Sequence, residues 1–560
     1  MSRDGLPPRA SRPAPVPPGP DPSTLGDAPE PRLSPVRVAL ALAVCVLVAA
    51  GAWLAVSPPG SARSTTDEPR PAASGTWFAP YVDVTLTPTL AFQDRAVHLA
   101  RDLVLGFVVA DPKDGCRPSW GGFHSLDDAA AVLDLDRRVA QVRGQGGDAI
   151  VSFGGQANSE LALTCRDPGA LARAYRETLD RYSADTIDID VEGWALRNVV
   201  ANARRAAVIA TLQREARASG GRLAVWLTVP VLPTGLQADA VAFVRGTLAA
   251  GIDVAGVNVM AMDFGGDAHT DMPGAITAAL RASHAQLGAL YAARGRALPA
   301  ADVWRRLGVT VMIGQNDVPA ERLSVAGARR VAAFARQKAL GRVSMWSLNR
   351  DAPCGVTFLV VGTRSNLCSG VKQEDHEFTR VLGRLAGNAR AAARRTPSEA
   401  AQPRATVASV DDPAKSPYPV WTPAGGYTTG TKIVWHQAVW QARWFTQGAT
   451  PDAPVDVTNH PWALVGPVLR GDRPPVIARS APGTHPAWSR ATAYRQGARV
   501  LKDGLPYRAA WWTKGDVPGA PPTRDGPSPW TPLYPVPGVP APDAVKPQTP
   551  AAGGPSTRGG

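Results

Sequence analysis

Eight times between residues 78 and 348, the chain alternates a short run of β-branched and apolar residues with a longer amphipathic stretch. The runs cover 78–86, 103–109, 149–153, 186–192, 223–229, 254–262, 307–313 and 343–348, with helical spacing over 126–144, 169–182, 203–219, 274–294 and 325–340. Regular strand–helix alternation predicts an α/β fold in which parallel strands are joined by covering helices. Eight such units close on themselves as a (β/α)8, or TIM, barrel. The rival, an open doubly wound sheet, would place a glycine-rich phosphate loop after the first strand, and none follows residue 86. Barrel chemistry collects at the C-terminal ends of the strands, so those ends are where reactive side chains matter.

The fourth run ends in such a group. Asp188, Asp190 and Glu192 alternate with Ile187, Ile189 and Val191. Period-two alternation puts the three carboxylates on one face and the three apolar residues on the other. Inside a barrel that face is interior, where an uncompensated charge is costly. The spacing also mimics the start of a calcium-binding EF-hand loop. That loop needs a glutamate at its twelfth position, which here is Val199, so no metal is expected.

The pattern D-x-x-D-x-D-x-E, from Asp185 to Glu192, resembles the signature of glycoside hydrolase family 18, the chitinases and endo-β-N-acetylglucosaminidases. Further marks follow in order. Ser152, Phe153, Gly154 and Gly155 resemble the family's S-x-G-G after strand three. Met260, Ala261, Met262 and Asp263 stand where the family has M-x-Y-D on strand six, and Trp346 resembles the tryptophan flooring the sugar site on strand eight. The resemblance implies a retaining, substrate-assisted mechanism that needs no cofactor. Glu192 would be the acid and then the base, and the substrate's 2-acetamido oxygen would be the nucleophile. Asp190 would hold the acetamido N–H, and Asp188 would share a proton with Asp190. Ser152, Gly154, Asp263, Met262 and Trp346 would line the sugar site. Met262 departs from the family's tyrosine and removes a hydroxyl. It matches a chitinase branch reading M-x-M-D, which the chain also resembles at Gln315, Asn316 and Asp317 and over residues 347–351.

Of the five cysteines, Cys45 lies in an apolar run and four remain downstream. An even number in an exported protein reads as disulfides, with three pairings open. In the barrel reading, Cys116 and Cys165 follow strands two and three, and Cys354 and Cys368 follow strand eight. The expected bonds are therefore Cys116–Cys165 and Cys354–Cys368.

The flanks complete the organisation. Residues 1–35 read as a proline-rich disordered cytoplasmic tail and 36–56 as a membrane anchor or signal segment. Every residue from Val38 to Val56 is apolar or small, Arg32 and Arg37 precede it, and Ala50, Gly51 and Ala52 fit a cleavage site. A spacer (57–75), the barrel (76–392) and a linker (393–416) follow. Beyond them an internal repeat occupies 417–464 and 485–533, separated by a linker (465–484) and ending in a disordered tail (534–560). Trp421, Tyr427 and Trp444 recur at one constant offset as Trp488, Tyr494 and Trp511, and Phe445 matches Trp512. These units resemble carbohydrate-binding modules of families 5 and 12. The resemblance implies that some of these aromatics form an exposed ledge for sugar rings, while the rest form each small core.

The expected partners are chitin or a related N-acetylglucosamine polymer, and a membrane through the N-terminal segment. A monomer is expected. The formal charge of +13 comes from scattered Lys and Arg without a nucleic-acid-binding motif, so no nucleic acid is expected. Two other functions fit the same residues: a non-catalytic glycan-binding protein, and a hydrolase of N-glycans or peptidoglycan.

Overall fold

A computed structural model describes residues 76–539, apart from 96–97, 267–269, 356–363, 386–410, 454–458 and 521–525. Residues 1–75, with the expected tail, anchor and spacer, residues 540–560 of the expected C-terminal tail and most of the 393–416 linker lie outside the described residues; the start of that C-terminal tail, expected to be disordered from 534, is instead packed, with Tyr534 hydrogen-bonded to Tyr507 at 2.7 Å. Among the described residues no helix is long and apolar enough to cross a membrane.

The central sheet is parallel apart from two short antiparallel strands, Pro118–Trp120 and His124–Ser125, appended at one side. Its parallel strands are β1 (Trp77–Phe78), β2 (Tyr81–Asp83), β3 (Asp102–Ala110), β4 (Asp148–Gly154), β5 (Thr186–Asp190), β6 (Ala224–Pro230), β7 (Val254–Met260), β8 (Leu307–Met312) and β9 (Arg342–Trp346). Each pairs with the next in the order β2, β3, β4, β5, β6, β7, β8, β9. β1 pairs with β9, and only Ala79 and Pro80 separate β1 from β2, so the order of pairing returns to its starting segment.

Alternation sorts the side chains. Leu103, Leu105, Ile187, Ile189, Val257 and Val259 join the large core under the helices. Val104, Ile150, Tyr81, Trp77 and Trp226 form a separate cluster on the opposite face. Trp226 occupies so much of that space that a Cβ on Gly256 would lie 2.3 Å from its ring.

The covering helices are α1 (Leu126–Leu133), α2 (Leu135–Gly144), α3 (Pro168–Arg181), α4 (Val199–Ala218), α5 (Ala238–Ala249), α6 (Met272–Ala292) and α7 (Val325–Lys338). The expected single helix over 126–144 is broken at Asp134, which takes a φ of +49°. α1 starts on a Ser125–Asp128 capping box. The Asp134 carboxylate faces Arg137 of α2 and, from far along the chain, Lys432 and the Tyr418 hydroxyl. α5 escaped the sequence reading because Val241, Val244 and Gly246 weaken its helical signal. It forms because Phe243, Val244 and Leu248 are buried.

Two small β units follow, built on one plan. In the first, 432–435, 438–442 and 462–467 form an antiparallel sheet, with 426–427 paired to 446–447. In the second, 499–502, 505–509 and 530–532 do the same, with 493–494 paired to 513–514. The first unit does not stop at 464. Its last strand runs Trp462–Pro467, and Asp472 makes a two-pronged ion pair with Arg137 of α2. The start of the expected 465–484 linker is thus strand and anchored contact.

Candidate active site

Asp188 sits at the floor of the site with no exposed surface. Its Oδ2 accepts hydrogen bonds from Tyr81 (2.8 Å, β2) and Ser152 (2.7 Å, β4). Its Oδ1 accepts from Thr228 (2.7 Å, β6) and from the Arg342 guanidinium (2.6 Å, β9). Four strands therefore converge on one carboxylate. Asn258 of β7 extends the network by donating to Thr228 and Thr310. Arg342 is equally buried, and Trp77, Tyr81 and Trp226 surround it at 5.3–5.7 Å from their ring centroids. A guanidinium has no neutral form in a protein, so it supplies a fixed counter-charge.

The Asp188 oxygens are taken by other donors, and Asp190 Oδ1 is buried with no hydrogen-bond partner among the described residues. Burial pushes the Asp190 carboxyl well above the usual carboxylate range, and the charges of Glu192 and Asp188 add to the rise. Arg342 pairs with Asp188 and pulls the other way, favouring the ionised form of Asp190.

Glu192 lies just past the end of β5, half-buried. Burial, and then the charge of Asp263, raise it to about 7. Asp263 follows β7 with a φ of +51° and is itself raised, chiefly by burial; its Oδ1 accepts from the Val318 backbone N–H at 3.0 Å. The same loop is pinned by Glu321, whose carboxylate accepts from the backbone N–H groups of Phe264 and Gly265. Met262, half-buried, brings no hydrogen-bonding group to this cluster.

Gly154 pairs in register with Asp190 at a φ of +109°, and a Cβ there would lie 2.0 Å from the Asp190 carbonyl oxygen. Only glycine allows that approach. Trp346 stacks on Phe107 with centroids 5.6 Å apart, and Tyr81 lies 6.1 Å from Trp346. The sequence-derived residues Asp188, Asp190, Glu192, Ser152, Gly154, Asp263 and Trp346 thus sit at the C-terminal ends of the parallel strands. The disulfides Cys116–Cys165 and Cys354–Cys368 form as expected and tie loops at those ends.

The sequence reading missed Tyr81, Thr228, Asn258, Glu321 and Arg342. For Arg342 a signal existed: Arg342, Ser344 and Trp346 share one strand face, so a charge in phase with Trp346 points into the sheet interior. In the small units, Trp421, Tyr427 and Tyr494 are core residues and Trp488 packs against the core. Trp444, Phe445, Trp511 and Trp512 are exposed.

No family model matches the chain. It is 32% identical over 288 residues to a probable bifunctional chitinase/lysozyme of Escherichia coli, covering 50% of this chain and 31% of that one. It is 31% identical over 292 residues to endochitinase 11 of Metarhizium anisopliae, covering 50% of this chain and 54% of the relative. The chain thus spans about half or less of the length of these relatives. Among solved structures, active domain 2 of a thermostable chitinase from Pyrococcus furiosus superposes with a TM-score of 0.49 at 23% identity, over 59% of this chain and all of that domain.

Proposed function

We propose that the chain is an exported glycoside hydrolase that cleaves β-1,4-linked N-acetylglucosamine polymers by a retaining, substrate-assisted route. In this reading the closed order of parallel strands is a (β/α)8 barrel and the two C-terminal units bind chitin. The observation carrying it is the buried Asp190, one carboxyl oxygen of which has no partner among the described residues and whose carboxyl burial pushes well above the usual range, two residues from Glu192 raised to about 7. A two-carboxylate glycosidase needs a second ionised carboxylate as nucleophile or base. Here burial disfavours ionisation of the second carboxyl, Asp190, and the third, Asp188, is held by Arg342.

Glu192 donates its proton to the leaving glycosidic oxygen. The acetamido carbonyl oxygen closes on the anomeric carbon as that bond breaks, giving an oxazolinium. Asp190 Oδ1 accepts the acetamido N–H and turns the carbonyl toward the carbon. That hydrogen bond stabilises the positive charge that develops on the acetamido group. Glu192, now ionised, takes a proton from water as the water opens the oxazolinium from the vacated side, which restores the original configuration. The stacked Trp346 and Phe107 rings offer an apolar floor for the sugar.

The acid form of Glu192 is the active one, so kcat/KM should fall about tenfold per pH unit as pH rises through about 7. A pH–rate profile on a soluble chitooligosaccharide checks this. A profile flat from pH 6 to 9 contradicts it.

The exposed ring pairs Trp444 with Phe445 and Trp511 with Trp512 support sugar binding by the small units. Replacing Trp511 and Trp512 together by Ala should weaken adsorption of the full chain to insoluble chitin by about tenfold. Unaltered adsorption isotherms would place binding elsewhere. The two disulfides and the apolar segment 38–56 support a location outside the cytoplasm. Incubating the purified chain with chitin, a glycoprotein and peptidoglycan tests the substrate. Soluble N-acetylglucosamine oligomers should appear from chitin, and release from the other two alone would overturn the assignment.

A further inference from the structure

Three charged residues stand together where α1 gives way to α2: Asp134 between the helices, and Arg137 and Arg138 in the first turn of α2. All three are buried, which charged side chains almost never are without partners. The first small unit supplies most of those partners. Lys432 Nζ donates to Asp134 Oδ2 at 2.5 Å, and the Tyr418 hydroxyl donates to Oδ1 at 2.8 Å. Arg137 reaches both oxygens of Asp472, at 2.8 and 3.2 Å, and donates to the Pro467 carbonyl at 2.7 Å. Arg138 donates to Gln93, which in turn donates to the Leu464 carbonyl at 2.9 Å, and Arg443 lies 3.4 Å from Asp94. The backbones also meet. A Cβ on Gly466, at a φ of +152°, would lie 2.6 Å from the Arg137 carbonyl oxygen, so only glycine lets the last strand lie there.

The second unit shares the plan of the first and lacks these parts. At the offset relating Trp421 to Trp488, the residues Tyr418, Lys432 and Arg443 become His485, Arg499 and Ala510. Counted from Trp462 and Trp530, Gly466 becomes Tyr534, a bulky side chain where the first unit tolerates none. Arg499 is exposed, and Tyr534 is bonded to Tyr507 inside its own unit. The end of the second unit meets the first instead, where the Lys432 N–H donates to the Gly538 carbonyl at 2.6 Å. We propose that the first unit is a permanently docked subdomain of the α/β portion, on a surface centred on Asp134 and Arg137 that accepts this unit and not its repeat. The two-pronged arginine–carboxylate pair fixes direction as well as contact, and the glycine approach fixes register. The exposed pair Trp444 and Phe445, next to Arg443, is thereby held at one place on the α/β portion instead of swinging on a linker.

A protease recognition sequence inserted between residues 393 and 410 allows the folded full chain to be cut between the two portions. The cut pieces should still elute together in size-exclusion chromatography when loaded at about 1 μM. Lys432→Met combined with Asp472→Asn removes charged partners of Asp134 and Arg137. It should raise the Kd of the cut pieces about a hundredfold, read by dilution. Arg499→Met, the matching change in the second unit, should leave that Kd unaltered. Wild-type pieces that elute apart overturn the docking. An unchanged Kd in the double variant, or an equal rise in Arg499→Met, overturns the surface assigned to it. None of these outcomes depends on turnover of chitin, so the hydrolase reading stands or falls separately.

Discussion

Glu192→Gln should lower kcat on chitooligosaccharides by about 10²–10⁴-fold, the range a positioned general acid contributes. Adsorption to insoluble chitin should stay at the wild-type level, because the exposed rings of the C-terminal units lie in a different part of the chain. The same substitution carries a stability signature. The folded-state pKa of Glu192 is about 7, above its ordinary 4.5, so the folded chain holds this proton more tightly than the unfolded chain does. Stability from this group is present below about 4.5 and is lost as pH rises through about 7. Glutamine removes the dependence. The variant should melt with the wild type at pH 4.5 and above it at pH 8, read by calorimetry at both. Full turnover in Glu192→Gln would dismiss this residue as the acid.

The second large effect is on folding. Arg342→Leu leaves Asp188 charged, with no exposed surface and no counter-ion. Removing one partner of a buried pair costs about 3–5 kcal/mol, because the desolvated charge that remains is uncompensated. Urea unfolding should show a loss of that size. Adding Asp188→Asn should return much of it without restoring activity, since the four-strand junction would then carry no charge. Arg176 and Glu215 are at a similar distance, 2.7 Å, but are exposed, and Arg176→Ala should change stability by less than about 1 kcal/mol. Equal losses at the two positions would contradict the importance of burial.

Strand positions were legible because burial on two faces forces β-branched runs of limited length, and the carboxylate run stood out because it violated that rule. Asp188, Asp190 and Glu192 were therefore visible at once. Their division of labour was not. Asp190 is pushed toward its neutral form by burial and by the charges of Glu192 and Asp188, and Asp188 in turn is held by Arg342 some 150 positions away, reached only when the last strand closes beside the first. Sequence spacing holds no trace of that distance. Asp134 teaches the same lesson in reverse: an uninterrupted helical pattern breaks where a buried carboxylate is claimed by Lys432 and Tyr418. In the repeats, composition showed that aromatics were too many for the cores. Only the packed units separate Trp421 and Tyr427, which are core, from Trp511 and Trp512, which face solvent.

The central claim is that the substrate supplies its own nucleophile because Asp188 and Asp190 cannot. A series of chitobiosides bearing acetyl, fluoroacetyl and trifluoroacetyl groups on the reacting sugar's nitrogen weakens the carbonyl oxygen stepwise and leaves the leaving group alone. On this account kcat falls steeply with each fluorine added. A rate that stays level across the series would mean that an enzyme group attacks instead.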